Sequence, residues 1–321
     1  MPSARLFCVA RIGMDRSLGL GLEFASAFQD THLGRVGRIA PRAYRMGDVR
    51  RLHHDTRTGW DTVAATKYRD ELAADLGFLR GGGHTLLPVE LELLRDHLAS
   101  VRHAVHLQCS HGQDALGLVN LGIPRITGVD ISPEMIRLAE EKSAALGVEA
   151  RWECCDVLDT PHSLDGSADL VMTGKGALPW VLDLDGWAAV VARLLAPGGL
   201  LYLFEGHPLA ALWDRDAPEL CFRADTSGYF AVEPAEHPGF PADAVRRLAP
   251  EAPLMRERQW RPGQVLHALL AQGLRLEHFD EYPGSFWPQF PHWRRGIADL
   301  VPLSYAVLAR RPVAAPAPLA T

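Results

Sequence analysis

The stretch from Ala104 to Asp156 constrains the fold most, because short apolar runs alternate in it with amphipathic ones in a fixed order. Residues 104–108 read as a buried strand, a Ser-His-Gly turn follows, and residues 114–121 have helical spacing. Two further apolar runs, 126–129 and 150–154, predict a second and a third strand. Strands that alternate with helices are typical of an open parallel sheet covered on both faces.

The helix between the second and third strands carries signals at both ends. Ser132 is a favoured N-cap residue, Pro133 fits the first helical position, and Glu134 places an acid in the first turn. Gly147 is typical of the residue that ends a helix. We therefore predict a helix over Pro133–Leu146.

Two acids follow the strands of this unit. Asp130 ends the second strand and Asp156 comes just after the third. Ligands of open α/β sheets bind at the carboxyl ends of the strands, and an acid after the second strand is well placed to accept the ribose hydroxyls of an adenosine. The unit therefore predicts an adenosine-containing cofactor.

The remaining core continues the alternation. A strand at Ala168–Met172 precedes a helix at Leu184–Leu195, and Pro-Gly-Gly then introduces a strand at Leu200–Phe204. Pro262–Gln272 predicts the last helix, and the final two strands are LRLEHFDEY and LSYAVLARR. These elements predict an α/β class with a doubly wound, mostly parallel sheet.

The chain divides into regions by composition and periodicity. Residues 1–54 lack a sustained period, and we interpret them as a flexible extension or a partner-contacting arm. Residues 55–100 predict an N-terminal helical lid, 101–311 the core, and 209–258 a substrate-side insertion within it. We expect the Pro- and Ala-rich tail, 312–321, to be disordered.

The first helix of the lid is predicted to begin near Thr58 or Asp61. Trp60 and Tyr68 lie on its apolar face, where they either belong to the core or cover the cofactor. His53 and His54 precede this helix and are adjacent, which is a poor arrangement for joint metal binding.

Composition limits the possible partners. The 321 residues are 47% hydrophobic, carry a net charge of −6 and have a pI near 6.2, which argues against nucleic acid as a partner. No apolar run is long enough for a membrane span, and the N-terminus does not read as a signal peptide. Five scattered cysteines without CxxC spacing fit a reducing cytoplasm, so we expect neither a disulfide nor a metal.

Four segments together resemble the class I S-adenosylmethionine-dependent methyltransferases. In chain order they are HLQCSHGQDAL, TGVDISPEMI, CCDV and LPWVLDLDGWAAVVARLLAPGGLLYLFEGHP. The sequence is similar in particular to the subgroup whose nucleotide loop reads HLQC…GQD, and the similarity runs from Thr58 to Arg311. The resemblance implies a Rossmann-like fold of seven strands, one antiparallel. It also implies S-adenosyl-L-methionine as cofactor, S-adenosyl-L-homocysteine as product, and no metal.

The resemblance also implies roles for individual residues. The loop from Gln108 to Gly112 would wrap the methionine end, and Asp130 would bind the ribose. Asp156 would accept the adenine amino group. The full implied cofactor site is Trp60, Tyr68, Gln108, Cys109, Ser110, Gly112, Asp130, Ile131, Asp156, Val157, Thr173 and Gly174.

The nucleotide loop departs from the common pattern of the family. His106, Gln108 and Ser110 stand where that pattern has an acid and its first two glycines. Gln108 is a bulky residue at a position where the common pattern has a glycine.

The catalytic and acceptor-side residues are less determined. His207 is the first candidate for a general base and His111 the second. Lys175 is a candidate for orienting an acidic substrate, although each of these residues also has a purely structural interpretation. The candidate walls of an acceptor pocket, equally well explained as core, are Trp180, Trp287 and Trp293.

Three functions are compatible with these features. The first is methyl transfer to a small-molecule acceptor in a bacterial biosynthetic pathway, such as one of secondary metabolism. The second is a protein that binds S-adenosylmethionine without transferring its methyl group. A nicotinamide oxidoreductase, the third, needs a GxGxxG loop that Gln108–Gly112 does not supply. The acceptor atom and the oligomeric state stay open, with a homodimer as one option.

Overall fold

The predicted α/β sheet is present and has seven strands. The computed structural model describes residues 46–224, 226, 228–237 and 254–313. In chain order the sheet strands are β1 (His103–Leu107), β2 (Arg125–Asp130), β3 (Ala150–Cys154), β4 (Ala168–Gly174), β5 (Leu195–Gly206), β8 (Arg275–Tyr282) and β9 (Ser304–Arg310). A separate two-stranded hairpin consists of β6 (Ala235–His237) and β7 (Met255–Glu257).

The strand order of the main sheet is β3-β2-β1-β4-β5-β9-β8. Strands β1 to β5 are parallel, and β9 lies antiparallel between β5 and β8. The order reverses at β1, so a crevice forms there at the carboxyl ends of β1 and β4. The predicted doubly wound sheet and its one antiparallel strand are therefore confirmed.

Helices cover both faces of the sheet. They are α1 (Met46–Val63), α2 (Arg69–Arg80), α3 (Pro88–Leu98), α4 (Gln113–Asn120), α5 (Pro133–Leu146), α6 (Leu184–Leu194) and α7 (Pro262–Ala271). Alternate residues of β5 point to opposite faces, as the two-residue period of a strand requires. Leu201 and Leu203 belong to the core under α6 and α7, whereas Tyr202 and Phe204 belong to the core under α3 and α4.

The caps predicted for α5 are confirmed. The Ser132 hydroxyl accepts a hydrogen bond from the Met135 backbone N–H at 3.1 Å, and Pro133 is the first helical residue. Gly147 ends the helix in the left-handed conformation, with φ of 68°. The local signals of this segment therefore agree with its tertiary setting.

The predicted start of the first helix is wrong. Helix α1 begins at Met46, not near Thr58 or Asp61, so the expected boundary at residue 54 falls inside a helix. The buried face of its first half includes His53 and Thr56, and these polar residues conceal the helical period in the sequence. Residues 1–45 lie outside the described part of the chain.

A π-helical turn joins the first two helices. It covers Ala64–Tyr68, and α2 continues directly from it at Arg69. The Thr66 hydroxyl donates to the Thr62 and Val63 carbonyls within this turn. The predicted single amphipathic helix is thus a helix with one wide turn, a feature that often marks functional sites.

Two other expectations are modified. The Pro-Gly-Gly segment does not precede β5 but lies inside it, at an irregularity in the pairing with β4. Of the expected insertion, 209–258, the structure describes a 3-10 turn at Pro208–Leu212 and the β6–β7 hairpin, while 238–253 lies outside the described residues. The same holds for 314–321 of the expected tail.

Among the described helices, none combines the length and the apolar character that crossing a lipid bilayer requires.

Gly174 offers a direct test of how tightly the strand ends are packed. It has φ of 139°, and a Cβ atom built on it would lie 2.0 Å from the Phe204 carbonyl oxygen. We expect Gly174→Ala to lower the free energy of unfolding by more than about 2 kcal/mol, measured by urea denaturation. Gly263→Ala is the matched control, because nothing lies within 4 Å of the added Cβ there. Equal stabilities for the two variants would contradict this account.

Candidate active site

A cavity of about 1180 Å³ opens at the carboxyl ends of β1, β2, β4 and β5. Most of the predicted site residues line it, whereas Gly112 and Thr173 do not. The predicted residues on its wall are Trp60, Tyr68, Gln108, Cys109, Ser110, His111, Asp130, Ile131, Asp156, Val157, Gly174, Lys175, Trp180, His207 and Trp287. The structure therefore brings the predicted cofactor and acceptor residues to one place.

The loop after β1 has an unusual backbone. Gln108 and Ser110 have φ of 56° and 51°, in the left-handed region that costs energy for residues other than glycine. The Gln108 amide donates to the Ala177 carbonyl at 2.6 Å, and the Ser110 N–H donates to the Asp130 carboxylate at 2.8 Å. These contacts fix the loop even though it lacks the expected glycines.

Gly112 lies in this loop where the backbone packs closely against α5 and β3. It has φ of 77°, and a Cβ on it would lie 2.7 Å from both Ala139 and the Trp152 ring. Thr173 is also buried, and its hydroxyl has no protein partner. Both residues thus lie next to the cavity wall and not on it.

Asp130 connects the loop to helix α5. One carboxylate oxygen accepts the Ser110 N–H, and the other accepts the Ser132 N–H at 2.9 Å. Burial raises the pKa of Asp130 to about 6, although these hydrogen bonds act in the opposite direction. Since each carboxylate oxygen has two lone pairs, the side chain can still accept bonds from a ligand.

Asp156 is already bonded to helix α1. His53 Nδ1 lies 2.7 Å from its carboxylate and the Arg50 guanidinium lies 3.0 Å away, while the Leu158 N–H donates at 2.9 Å. Burial alone would raise the pKa of Asp156, but the bond with His53 and the charge of Arg50 hold it below its usual value. Asp156 therefore lines the cavity with less free acceptor capacity than the sequence suggests.

His53 was missed by the sequence analysis as a site residue. Its Nε2 accepts the Leu182 N–H at 3.1 Å while Nδ1 contacts Asp156, so the ring bridges two loops of the cavity wall. His54 is exposed, as the 100° offset of adjacent helical residues requires. This role could have been predicted only if the sequence had shown that α1 begins upstream of Asp55.

Aromatic rings form the outer part of the cavity. Trp60 and Trp180 meet edge to face with centroids 5.4 Å apart, and Trp180 meets His237 in the same way at 5.6 Å. The Arg215 guanidinium lies 5.0 Å from the Trp287 ring. The third tryptophan proposed for this wall, Trp293, stacks on Phe290 and does not line the cavity.

The charge of Lys175 is balanced by protein acids. Its ammonium donates to Asp114 at 3.0 Å and lies 3.4 Å from the buried Glu90. Burial would lower the pKa of Lys175, but the two carboxylates more than offset it and raise the pKa. This arrangement argues against Lys175 as the residue that orients an acidic substrate.

Both ring nitrogens of His207 are engaged. Nε2 lies 2.7 Å from the Glu281 carboxylate, and Nδ1 accepts the Leu209 N–H at 3.2 Å. Burial lowers the pKa of His207, while Glu281 acts in the opposite direction. His207 lines the cavity, but neither nitrogen is left for a substrate proton.

Glu205 is an acid of the cavity wall to which the sequence analysis assigned no role. It is the second-last residue of β5, is 2% exposed, and accepts backbone N–H groups from Gly176 at 2.6 Å, Leu178 at 3.0 Å and Gly206 at 2.7 Å. Burial raises the pKa of Glu205 to about 7 despite these hydrogen bonds. An acid after a buried strand was the available signal, as it was for Asp130.

Within the described residues, no group of three or more His, Cys, Asp or Glu side chains is arranged to hold a metal ion. The cysteines of this part, Cys109, Cys154, Cys155 and Cys221, are free thiols, and Cys8 lies outside it.

Comparisons with known proteins concern mainly the central unit. A family model described as a methyltransferase domain matches residues 104–199. The ubiquinone biosynthesis O-methyltransferase of Xanthomonas euvesicatoria is 33% identical over 122 residues, which are 37% of this chain and 50% of that protein. The ribosomal protein L11 methyltransferase of Vibrio cholerae is 28% identical over 120 residues, 37% of this chain and 39% of that protein. The chain thus spans half or less of the length of these curated relatives.

Among solved structures, an S-adenosylmethionine-dependent methyltransferase from Mesorhizobium loti aligns over 68% of this chain and 97% of its own. The TM-score is 0.47 and the identity 22%. The family match coincides with the unit that carries the cavity loop and Asp130. Residues 104–199 of this chain, which include the nucleotide loop and Asp130, therefore match a methyltransferase domain.

Proposed function

We propose that the protein transfers a methyl group from S-adenosylmethionine to a small-molecule acceptor, in a bacterial biosynthetic pathway. The observation that carries this proposal is one continuous cavity with Asp130 on one part of its wall and Glu205 on another. At about 1180 Å³ it exceeds the range of roughly 300–1,000 Å³ that is usual for a single drug-sized ligand. It is therefore large enough for a cofactor and an acceptor together.

The residues on the β1 and β2 side fit the cofactor. Asp130 keeps acceptor capacity for ribose hydroxyls, and Ile131 and Val157 offer apolar contact to the adenine. The buried amide oxygen of Gln108 has no protein partner, which suits an incoming hydrogen-bond donor. In this assignment the loop at 108–112 holds the amino-acid end, and Asp156 borders the adenine end.

The residues on the β4 and β5 side fit the acceptor. Trp180, Phe286 and Trp287 provide aromatic walls, and Glu205 and Gly206 line the same cavity at the end of β5. A cavity wall that carries aromatic rings suits a small apolar or aromatic molecule. The name of the Xanthomonas relative refers to ubiquinone biosynthesis and supports the same class, whereas the Vibrio relative is named for a ribosomal protein.

When bound, S-adenosylmethionine supplies an electrophilic methyl group on its sulfonium. The protein's own contribution is to hold the acceptor in line with that methyl, and the aromatic residues of the wall offer the contact surface for this. Since both nitrogens of His207 are engaged, we assign the removal of the acceptor proton to Glu205. Its three backbone N–H partners fix the carboxylate in one orientation.

Binding and turnover test the proposal separately. Isothermal titration with S-adenosylmethionine should give saturable binding, and titration with NADH should not. Incubation of a bacterial metabolite pool with methyl-labelled cofactor should yield a labelled small molecule and S-adenosylhomocysteine by mass spectrometry. Binding with no product from any pool would favour a protein that uses the cofactor without transferring its methyl group.

Asp130→Ala should weaken the binding of S-adenosylmethionine by about ten-fold or more. The reason is the loss of charge-assisted hydrogen bonds, each of which contributes about 1.5–3 kcal/mol. Calorimetric titration measures the change, and Asp185→Ala on the exposed side of α6 is the control. Unchanged affinity in Asp130→Ala would remove Asp130 from the cofactor site.

Glu205→Gln should lower kcat by about 10²- to 10⁴-fold, the usual contribution of a general base. In the unmodified protein kcat should fall as the pH drops below about 7, because protonated Glu205 cannot accept a proton. The variant should lose this pH dependence and keep its cofactor affinity.

The exposed Glu149→Gln is the matched control for this variant. If Glu205→Gln retained full kcat while His207→Gln abolished it, the base would be His207.

A further inference from the structure

We infer that His111 donates the hydrogen bond that recognises the carboxylate at the amino-acid end of the cofactor, and that a buried Lys142–Asp75 ion pair fixes its ring for this task. The inference rests on the proposed function, which assigns that end of the cofactor to the loop at 108–112.

The ammonium of Lys142 has three protein acceptors. It is completely buried, lies 2.6 Å from the Asp75 carboxylate, and contacts both Nδ1 and the backbone carbonyl oxygen of His111. An ammonium has three hydrogens and no lone pair. Each hydrogen of Lys142 is therefore used, and His111 Nδ1 is the acceptor of one of them.

This contact determines the tautomer of His111. Because Nδ1 accepts a hydrogen bond, the hydrogen of the neutral ring is on Nε2. Burial and the neighbouring Lys142 charge lower the pKa of His111 to about 3, so the ring is neutral under physiological conditions. His111 is thus a fixed donor through Nε2, with no charge of its own.

The ring is also fixed in space. Its face packs on Tyr68 with centroids 4.1 Å apart, and Tyr68 is itself in contact with the Lys67 ammonium at 4.3 Å. Lys142 comes from α5 and Asp75 from α2, so two helices hold the ring against the nucleotide loop. His111 lines the cavity between Ser110 and Gln113, the stretch assigned to the amino-acid end.

A carboxylate is the ligand chemistry that fits this donor. Lys142 is neutralised by Asp75 and Lys175 by Asp114, so neither of these two lysines offers an unbalanced charge to an anion at the loop. Recognition then depends on donors of defined direction, of which Nε2 of His111 is one. Such a bond to a charged acceptor is stronger than one between neutral groups.

The test compares two ligands that differ only in this carboxylate: S-adenosylmethionine and decarboxylated S-adenosylmethionine. His111→Asn keeps an acceptor near the position of Nδ1 for Lys142 but removes the donor at Nε2. We expect it to weaken S-adenosylmethionine by about ten- to a hundred-fold in calorimetric titration and to leave the decarboxylated ligand within about three-fold. His111→Gln, whose amide reaches the Nε2 position, should restore part of the selectivity. His162→Asn, a change at a side chain that is 85% exposed, should alter neither affinity.

The outcomes separate the two proposals. If the unmodified protein does not bind S-adenosylmethionine, the proposed function fails. If it binds, and His111→Asn weakens both ligands equally or neither, only the role of His111 fails.

A second measurement does not depend on cofactor binding. In ¹⁵N spectra of ring-labelled histidine, the signal of His111 is identified by its absence from the spectrum of His111→Asn. In the unmodified protein this signal should show a protonated Nε2 and an unprotonated Nδ1. Lys142→Met should change the chemical shift of the Nδ1 signal. A protonated Nδ1 in the unmodified protein would overturn the inference.

Discussion

The site depends on the hydrogen bonds that the Asp130 carboxylate accepts. It binds the backbone of the nucleotide loop at Ser110 and of the helix cap at Ser132, and the Ser132 hydroxyl in turn donates to Asp61 of α1 at 2.5 Å. One side chain at the end of β2 thereby connects the loop, helix α5 and the N-terminal helices. The strained backbone at Gln108 and Ser110 is held by hydrogen bonds to other parts of the chain, from Gln108 to the Ala177 carbonyl and from Ser110 to Asp130.

The two parts of the cavity have different structural origins. The part proposed for the cofactor lies on strand ends and helix caps of the sheet, which are rigid elements. The part proposed for the acceptor includes residues from connecting segments, among them Arg215, Phe286 and Trp287. Residues on loops held by a rigid scaffold commonly carry specificity. Changes of acceptor among related proteins can therefore occur without altering the sheet.

Features that depend on residues close together in the sequence could be predicted, whereas features that depend on contacts between distant residues could not. The sheet strands, the caps of α5 and the position of Asp130 were predictable because strand period, capping residues and an acid after a strand are local patterns. The early part of α1 was not, because its buried His53 finds its partner Asp156 103 residues away. Glu205 and the Lys142–Asp75 pair were missed for the same reason, since their partners or their burial depend on tertiary packing.

The π-helical turn at Ala64–Tyr68 fixes the spacing of residues along the N-terminal helices. Each residue of an α-helix advances the chain by about 100° around its axis, so one residue more or fewer in this turn would rotate all of α2 relative to α1. Asp75 would then leave Lys142 while Asp61 still faced Ser132. The spacing of 14 residues between the two acids is thus set by two fixed points on α5 and its cap, and an insertion between Asp61 and Asp75 would break one of the two contacts.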